Sequence, residues 1–419
     1  MSWTADALLA ELGLNDEQAA NVGEGLAESL ACQPAHQPTL TPAFARWGHE
    51  FARLRLELLE PLVRTTERIA ADSALTAMFW HQYRWLYDQP DRPLDRAGAW
   101  PTWTDRLGAA ECGCYYLLLS LAVLPRMIGR HAERGIPEAV SRECTTHFRE
   151  STRLYELTRP GQVGVAPRIL FWQRNHLAGR LIQLGRFEYM LRPFPDRVTV
   201  WRRKADRAVV ALARPGELYN ADGYLDAGAI EGWRSVYEET DRSVTGTAIH
   251  PEGHGLPDPV ILDRAEWELA LHSGQTILEV HIPAGGRMSL DAALDSMRQA
   301  PAFFSRHFPE QPYVGFATHS WILDPRAWEW LGAESNMARW SRELYLTPYP
   351  SHGRDGLYFV FGEAEYDPAT LPRDTSLKRA ILAHLEAGGA VRAAGFFVLL
   401  DELDQLGGQP YRRLWPFGD

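Results

Sequence analysis

The sequence predicts an α+β protein, with a helical N-terminal domain over residues 1–160 and a sheet-containing domain over residues 161–419. Three observations carry that expectation. Apolar residues recur at helical spacing up to about residue 185 and alternate with period two beyond it, while residues 276–308 read as a strand, a glycine turn and a long amphipathic helix. A chain of 419 residues also exceeds one ordinary core, so two domains are the natural division.

The helical half opens with residues 5–14, ending at Gly13, and residues 15–32, started by Asn15 or Asp16. Thr41-Pro42 supplies an N-cap and a proline at the first helical position. Phe44, Trp47, Phe51, Leu54 and Leu58 follow on one face, with a kink expected at Pro61. Residues 72–87 form the next helix. Residues 105–134 form a long one whose apolar centre, 115–124, must be buried on nearly every side. That run is about half of what a spanning helix needs. Gly135 ends it, and Pro137 opens a helix to about residue 157. Pro160 to Gly164 mark the domain boundary, and residues 168–184 form one more helix, ending at Gly185.

In the second half, residues 186–194, 198–204 and 208–213 read as strands, and residues 232–239 and 243–249 as a hairpin around Thr240 to Arg242. Residues 250–259 are a loop. Residues 263–271 carry helix formers and leave a single helical turn open as an alternative. Ile277, Leu278, Val280 and Ile282 are β-formers, and Pro283 closes their strand because it cannot donate to a ladder. Gly285 and Gly286 permit a tight turn, and Ser289 caps a helix with Asp291 in its first turn. A strand over 313–322 follows, then short helices from Asp324-Pro325 to Gly332 and from Ser335-Asn336 to about Tyr345. A strand over 357–361, a helix over 375–386 and a strand over 391–400 complete the chain.

The net charge of −11 argues against a general nucleic-acid surface, which needs basic patches. Four cysteines are too few and too irregular for a disulfide framework. Cys112-Gly-Cys114 lacks a second cysteine pair or paired histidines, so it reads as small buried residues, and no metal is expected. Residues 1–14 are acidic and lack the basic and apolar segments of a secretory signal. A soluble, cytoplasmic protein with no membrane partner is the expectation.

Strand alternation places Glu279 and His281 on one face, just before the amide-rich turn. His319 and Ser320 lie near the end of the next predicted strand. If the two strands are neighbours joined by the helix, both sets approach one cleft at the ends of parallel strands. An imidazole there can accept a proton from an amine or hydroxyl nucleophile, and either histidine can instead simply bond a neighbouring carbonyl. The turn and the helix N-terminus aim several N–H groups at one place, an anion cradle to which Arg287 can add charge. Ser320 lies outside any G-x-S-x-G elbow, which leaves a hydrolase reading with His319 little support.

Two passages, ILEVHIPAGGRMSLDAALDSMRQAPAFF and HSWILDPRAWEWLGAESNMARWSREL, resemble the bacterial two-domain N-acyltransferase-like family. Upstream, LLSLAVLPRMIGRHAERGIPEAV and LAGRLIQLGRFEYML resemble its helical N-terminal domain and junction. The similarity runs in order over about residues 117–344. It implies a GNAT-like mixed, mostly antiparallel sheet flanked by helices and splayed between its fourth and fifth strands, here residues 277–283 and 313–322. It implies acyl-CoA or acetyl-CoA as co-substrate, with the pyrophosphate at Gly285, Gly286, Arg287, Met288 and Ser289. It implies N-acylation of a small-molecule or peptide amine, for which the strand residues already singled out, His281, Glu279, His319 and Ser320, are the proton-handling candidates. Pro283-Ala284-Gly285-Gly286-Arg287 stands where the GNAT signature Q/R-x-x-G-x-G/A usually lies. A catalytically inactive GNAT-like small-ligand-binding or regulatory protein is the alternative.

Overall fold

The computed structural model describes residues 3–89, 95–195, 197–286, 288–362 and 367–418. They form two compact units, Met1–Gln183 with Pro283–Gly285, and Leu184–Ile282 with Gly286–Asp419.

The first unit is helical, and its centre is Gly113–Leu121, in which all nine residues are buried. Phe79 meets the edge of Tyr115 at 5.5 Å, and the Tyr115 hydroxyl donates to Gln82 Oε1 at 2.7 Å, so the helix buries its phenol only with a partner. Gly48 lets a second helix, Pro42–Phe51, pass close to Leu121. The expected caps at Asn15 and Thr41 form, and Asp72 caps the helix Ser73–Tyr87.

Several predicted helices are broken, each for a local reason. Residues 15–32 divide into Asp16–Val22 and Leu26–Ala31, with Gly25 left-handed between them. The helix after Thr41 stops at Phe51, where Arg53 takes φ 51°; Pro61 then sits in the first turn of Leu59–Ala71, where its missing N–H costs nothing. Residues 105–134 are three helices, Thr104–Leu107, Gly113–Leu121 and Leu124–Glu133. The Pro160 to Gly164 stretch is part of this unit. Gly164 lies so close to Gly113 that a Cβ would stand 2.0 Å from its carbonyl carbon. Helix also gives way within 168–184. A 3-10 turn Pro167–Trp172 and a short helix Gln173–Leu177 lead to left-handed Gly179 and the strand Ile182–Leu184, in which the chain passes to the second unit.

The second unit holds the predicted mixed sheet. Thr276–His281 pairs antiparallel with Phe187–Pro193 on one side and parallel with Gly315–Ser320 on the other. Gly315–Ser320 pairs antiparallel with Ala394–Leu399, which pairs with Tyr345–Pro348. Leu290–His307 connects the two parallel strands and covers one face of the sheet. On that face Tyr189 packs on Phe304 and Phe316, and Phe187 and Phe396 pack on Trp340. A second antiparallel sheet contains Val198–Arg203, Val209–Ala213 and Trp267–Leu271. The predicted hairpin forms between Tyr237–Glu239 and Ser243–Gly246. Residues 263–271 form no helix: a tight turn over 264–266 leads from the strand Val260–Asp263 to the strand Trp267–Leu271, whose cross-strand partners outweigh weak helix propensity.

Two further expectations are corrected. Residues 357–361 form a helix, Leu357–Phe361, bracketed by left-handed Gly356 and Gly362, although five consecutive apolar and aromatic residues read as a strand. The helix after Ser335 ends at Ser341, and Tyr345 begins a strand. Tyr345 is drawn there by its hydroxyl, which donates to Ile249 O at 2.5 Å and accepts from Ala211 N at 2.9 Å. Among the described residues no helix is long and apolar enough to cross a membrane.

Candidate active site

The site follows from where two neighbouring strands stop pairing. Thr276–His281 and Gly315–Ser320 are matched at Leu278 with Phe316 and at Glu279 with Ala317. Their ladder has no partners beyond that point, although the strands run on to His281 and Ser320. Each keeps its outer partner, so the parting opens between these two strands rather than at an edge. Alternation puts Leu278, Val280 and Phe316 under the helix and Glu279, His281 and His319 on the other face.

Those three side chains form one polar cluster. His281 Nε2 lies 3.1 Å from Glu279 Oε2, and Arg192 Nε lies 3.7 Å from the same oxygen. Burial works against ionisation of Glu279, but the His281 hydrogen bond and the charges of His281, Arg192 and His319 outweigh it and hold the carboxyl below its ordinary range. Glu279 is therefore a carboxylate at neutral pH, suited to orienting His281. His319 stacks flat on Tyr349, with ring centroids 4.2 Å apart and planes 5° from parallel. Arg197 lies over the same tyrosine, 4.4 Å from its centroid. Burial pushes the His319 imidazole below its usual value, Glu279 opposes this, and Arg197 and His281 add to it. The ring is thus neutral at pH 7 and able to accept a proton.

Ser320 does not join the cluster. It follows His319 in an extended strand and so faces the other side, and its hydroxyl accepts from Ile322 N at 3.3 Å to cap the 3-10 turn Trp321–Leu323. The Trp321 ring packs over Gly356 and against the apolar cluster of Leu357, Phe361 and Val391. Sequence reasoning missed Tyr349, because nothing local marks it; the strand Tyr345–Pro348 that it follows reaches His319 only through Ala394–Leu399 between them. It also missed Glu188, which lies 4% exposed directly across from His281 and could have been found by continuing the alternation of residues 186–194.

In the glycine turn, Gly285 and Gly286 take φ of 83° and 68°. Ser289 caps the helix by accepting from Ala292 N, which leaves the Leu290 and Asp291 amides outside the intrahelical ladder. Within the helical unit, Glu150 Oε1 stands 3.0 Å from where a Cβ on Gly285 would lie. Arg287 lies outside the described residues. Among the described residues no group of three or more His, Cys, Asp or Glu side chains could hold a metal ion.

A helical unit followed by a mixed sheet whose two parallel strands part at their C-terminal ends defines an α+β protein of GNAT type. A family model described as a GNAT-like C-terminal domain matches residues 181–397, and one described as an N-acyltransferase N-terminal domain matches residues 49–179. The first covers more than half of the chain, and the chain belongs to that family. No curated protein matches it. Its fold resembles that of an acyltransferase solved in complex with CoA and 10C-teicoplanin, at 23% identity and a TM-score of 0.64 over 95% of this chain and 100% of that one. A complex of an acyltransferase with decanoyl-CoA and teicoplanin gives 24% identity and 0.62 over 95% and 100%. An acyltransferase mutant with octanoyl-CoA gives 23% and 0.64 over 96% and 100%. At these identities the likeness is one of fold.

Proposed function

We propose that this protein is an acyl-CoA-dependent N-acyltransferase that acylates an amine of a small molecule or peptide. The observation that carries the reading is the parting of the parallel strands beside a neutral imidazole, His319, stacked on a tyrosine, Tyr349. The acyltransferases of similar fold were solved with CoA, acyl-CoA and teicoplanin, which supports a thioester donor and a small-molecule acceptor. The residues fit such a donor. Gly285, Gly286, Met288 and Ser289 form a turn at a helix N-terminus with amides left for a pyrophosphate. Past Glu279 and Ala317 the two strands no longer pair with each other, and the facing edges suit an extended chain laid between them.

Acyl-CoA supplies the activated carbonyl; the protein manages protons and position. His319 takes the proton of the attacking amine as the C–N bond forms. Tyr349 returns a proton to the sulfur as the C–S bond breaks. Glu279 fixes His281 on the same face, and His281 is the second candidate base. Trp321 is turned into its own apolar cluster, which leaves the His319 side of the sheet to a substrate. We further propose a bacterial cytoplasmic setting, whose reducing conditions suit the exposed thiol of Cys32.

Calorimetric titration with CoA and decanoyl-CoA at low salt tests the reading: heat of binding is expected, and none at millimolar ligand would sink it. Glu150 beside Gly285 favours a second reading, a GNAT-shaped protein that binds another small ligand without catalysis. Binding of acyl-CoA without turnover on any amine would select it.

A further inference from the structure

Arg197 lies between the strands Phe187–Pro193 and Val198–Arg203, far along the chain from both His319 and Tyr349. Its guanidinium nevertheless lies 4.4 Å from the centroid of the ring on which His319 stacks. Glu217, whose side chain is 9% exposed, stands 3.9 Å from the Arg197 Nη1 and pairs with its charge, sharing the same carboxylate oxygen with Arg214 at 3.4 Å. The order Glu217, Arg197, Tyr349, His319 is thus a column of neighbouring groups drawn from four separate stretches of the chain. A planar guanidinium suits this position, because it lies over an aromatic ring while keeping its charge.

We propose that Arg197 is a positioning residue of this site: paired with Glu217 and lying over Tyr349, it fixes the plane against which His319 stacks and keeps a positive charge beside that imidazole. The inference rests on the acyl-transfer reading for its catalytic consequence, but not for the column itself. The groups facing His319 are Glu279 and His281 from Thr276–His281, with Arg192 behind Glu279, and Tyr349 and Arg197 from beyond the two ends of the sheet. Across the ladder to Ala394–Leu399 its partner is Gly395, which brings no charge. Arg197 and Glu279 therefore act on the imidazole with opposite sign. One favours the neutral ring, and the other favours the protonated ring.

The test is the titration of His319 by NMR in the full chain, with its resonance assigned through His319→Gln. Arg197→Met, which keeps an apolar stem and removes the charge, should move the His319 titration to higher pH. Arg197→Lys should return it toward the parent, and Glu279→Gln should move it to lower pH. The acid limb of turnover should follow each shift. Superimposable titrations for the parent and Arg197→Met would overturn the proposal, whatever the activity. A shifted titration with turnover unmoved at every pH would uphold the column and remove His319 from the chemistry. That outcome separates failure of the acyl-transfer reading from failure of this one.

Discussion

Glu279 and Ala317 are the last partners in the ladder between the two parallel strands, and every candidate proton-handling group of the site lies at or beyond them. His319 is two residues past that point, on the face turned away from the helix. Because burial holds its imidazole below the usual value, its neutral form persists below the pH at which a free histidine protonates. Turnover should therefore fall as pH drops through a value lower than that of free imidazole. His319→Ala should spare acyl-CoA binding and lower kcat by about 10²–10⁴-fold, the range of general-base catalysis. Equal turnover in the variant would take His319 out of the mechanism.

Tyr349→Phe separates the phenol from the ring. The ring stack with His319 survives in the variant, so the His319 titration should stay where it was. Loss of the acid should still lower kcat by about 10²-fold or more. A variant with full kcat would assign the tyrosine to packing alone.

How far the sequence reveals this site depends on the range of the interactions that build it. The strand, turn and helix around Gly285 and Gly286 are legible because β-branched residues, paired glycines and a serine cap act within a few positions. The pairing of Glu279 with His281 follows from strand alternation alone. The boundaries of the long helices are less legible, because the apolar stretch 115–124, buried on nearly every side, carries no periodicity to show that one helix ends at Leu121 and the next begins at Leu124. Tyr349 and Arg197 are invisible locally. They reach His319 only after Ala394–Leu399 and the second sheet have been laid down between residues distant in the chain.

Gly286 tests the turn through its backbone rather than its space. A Cβ there would meet nothing within 4 Å, but φ is 68°, where a β-branched residue is strained by about 1–2 kcal/mol. Gly286→Val should weaken CoA binding by about tenfold or more by driving the turn out of this conformation. Gly286→Asn, which tolerates a left-handed backbone, should bind nearly as the parent does. Equal affinity in both variants, measured by calorimetry, would place the pyrophosphate elsewhere.

Ser296 ties the covering helix to the sheet. Its hydroxyl donates to Leu184 O, accepts from Phe187 N at 3.1 Å and meets the Tyr189 hydroxyl at 2.9 Å, all in buried surroundings. Ser296→Ala leaves those groups without their partner and should cost about 1–3 kcal/mol of stability. Urea unfolding measures this directly, and an unchanged midpoint would mean that other groups take up the bonds.

Acid should destabilise the helical unit through its buried imidazoles. His131 is fully buried with Nδ1 2.8 Å from Ser141 Oγ, and burial pushes its pKa down to about 4. His176 is equally buried and is pushed down further by the neighbouring charges of His147 and His131. An unfolded imidazole binds its proton near pH 6.5, so between there and about 4 the unfolded chain holds more protons than the folded one. The stability these groups contribute is complete above pH 6.5 and is lost as pH falls, by about 1.4 kcal/mol per unit for each group. His131→Leu should flatten that slope by one group's worth while lowering stability at pH 7, where the Ser141 contact is lost. Chemical unfolding at pH 7, 6 and 5 distinguishes the two effects, and a slope unchanged by the substitution would show that His131 titrates in the folded chain as it does in the unfolded one.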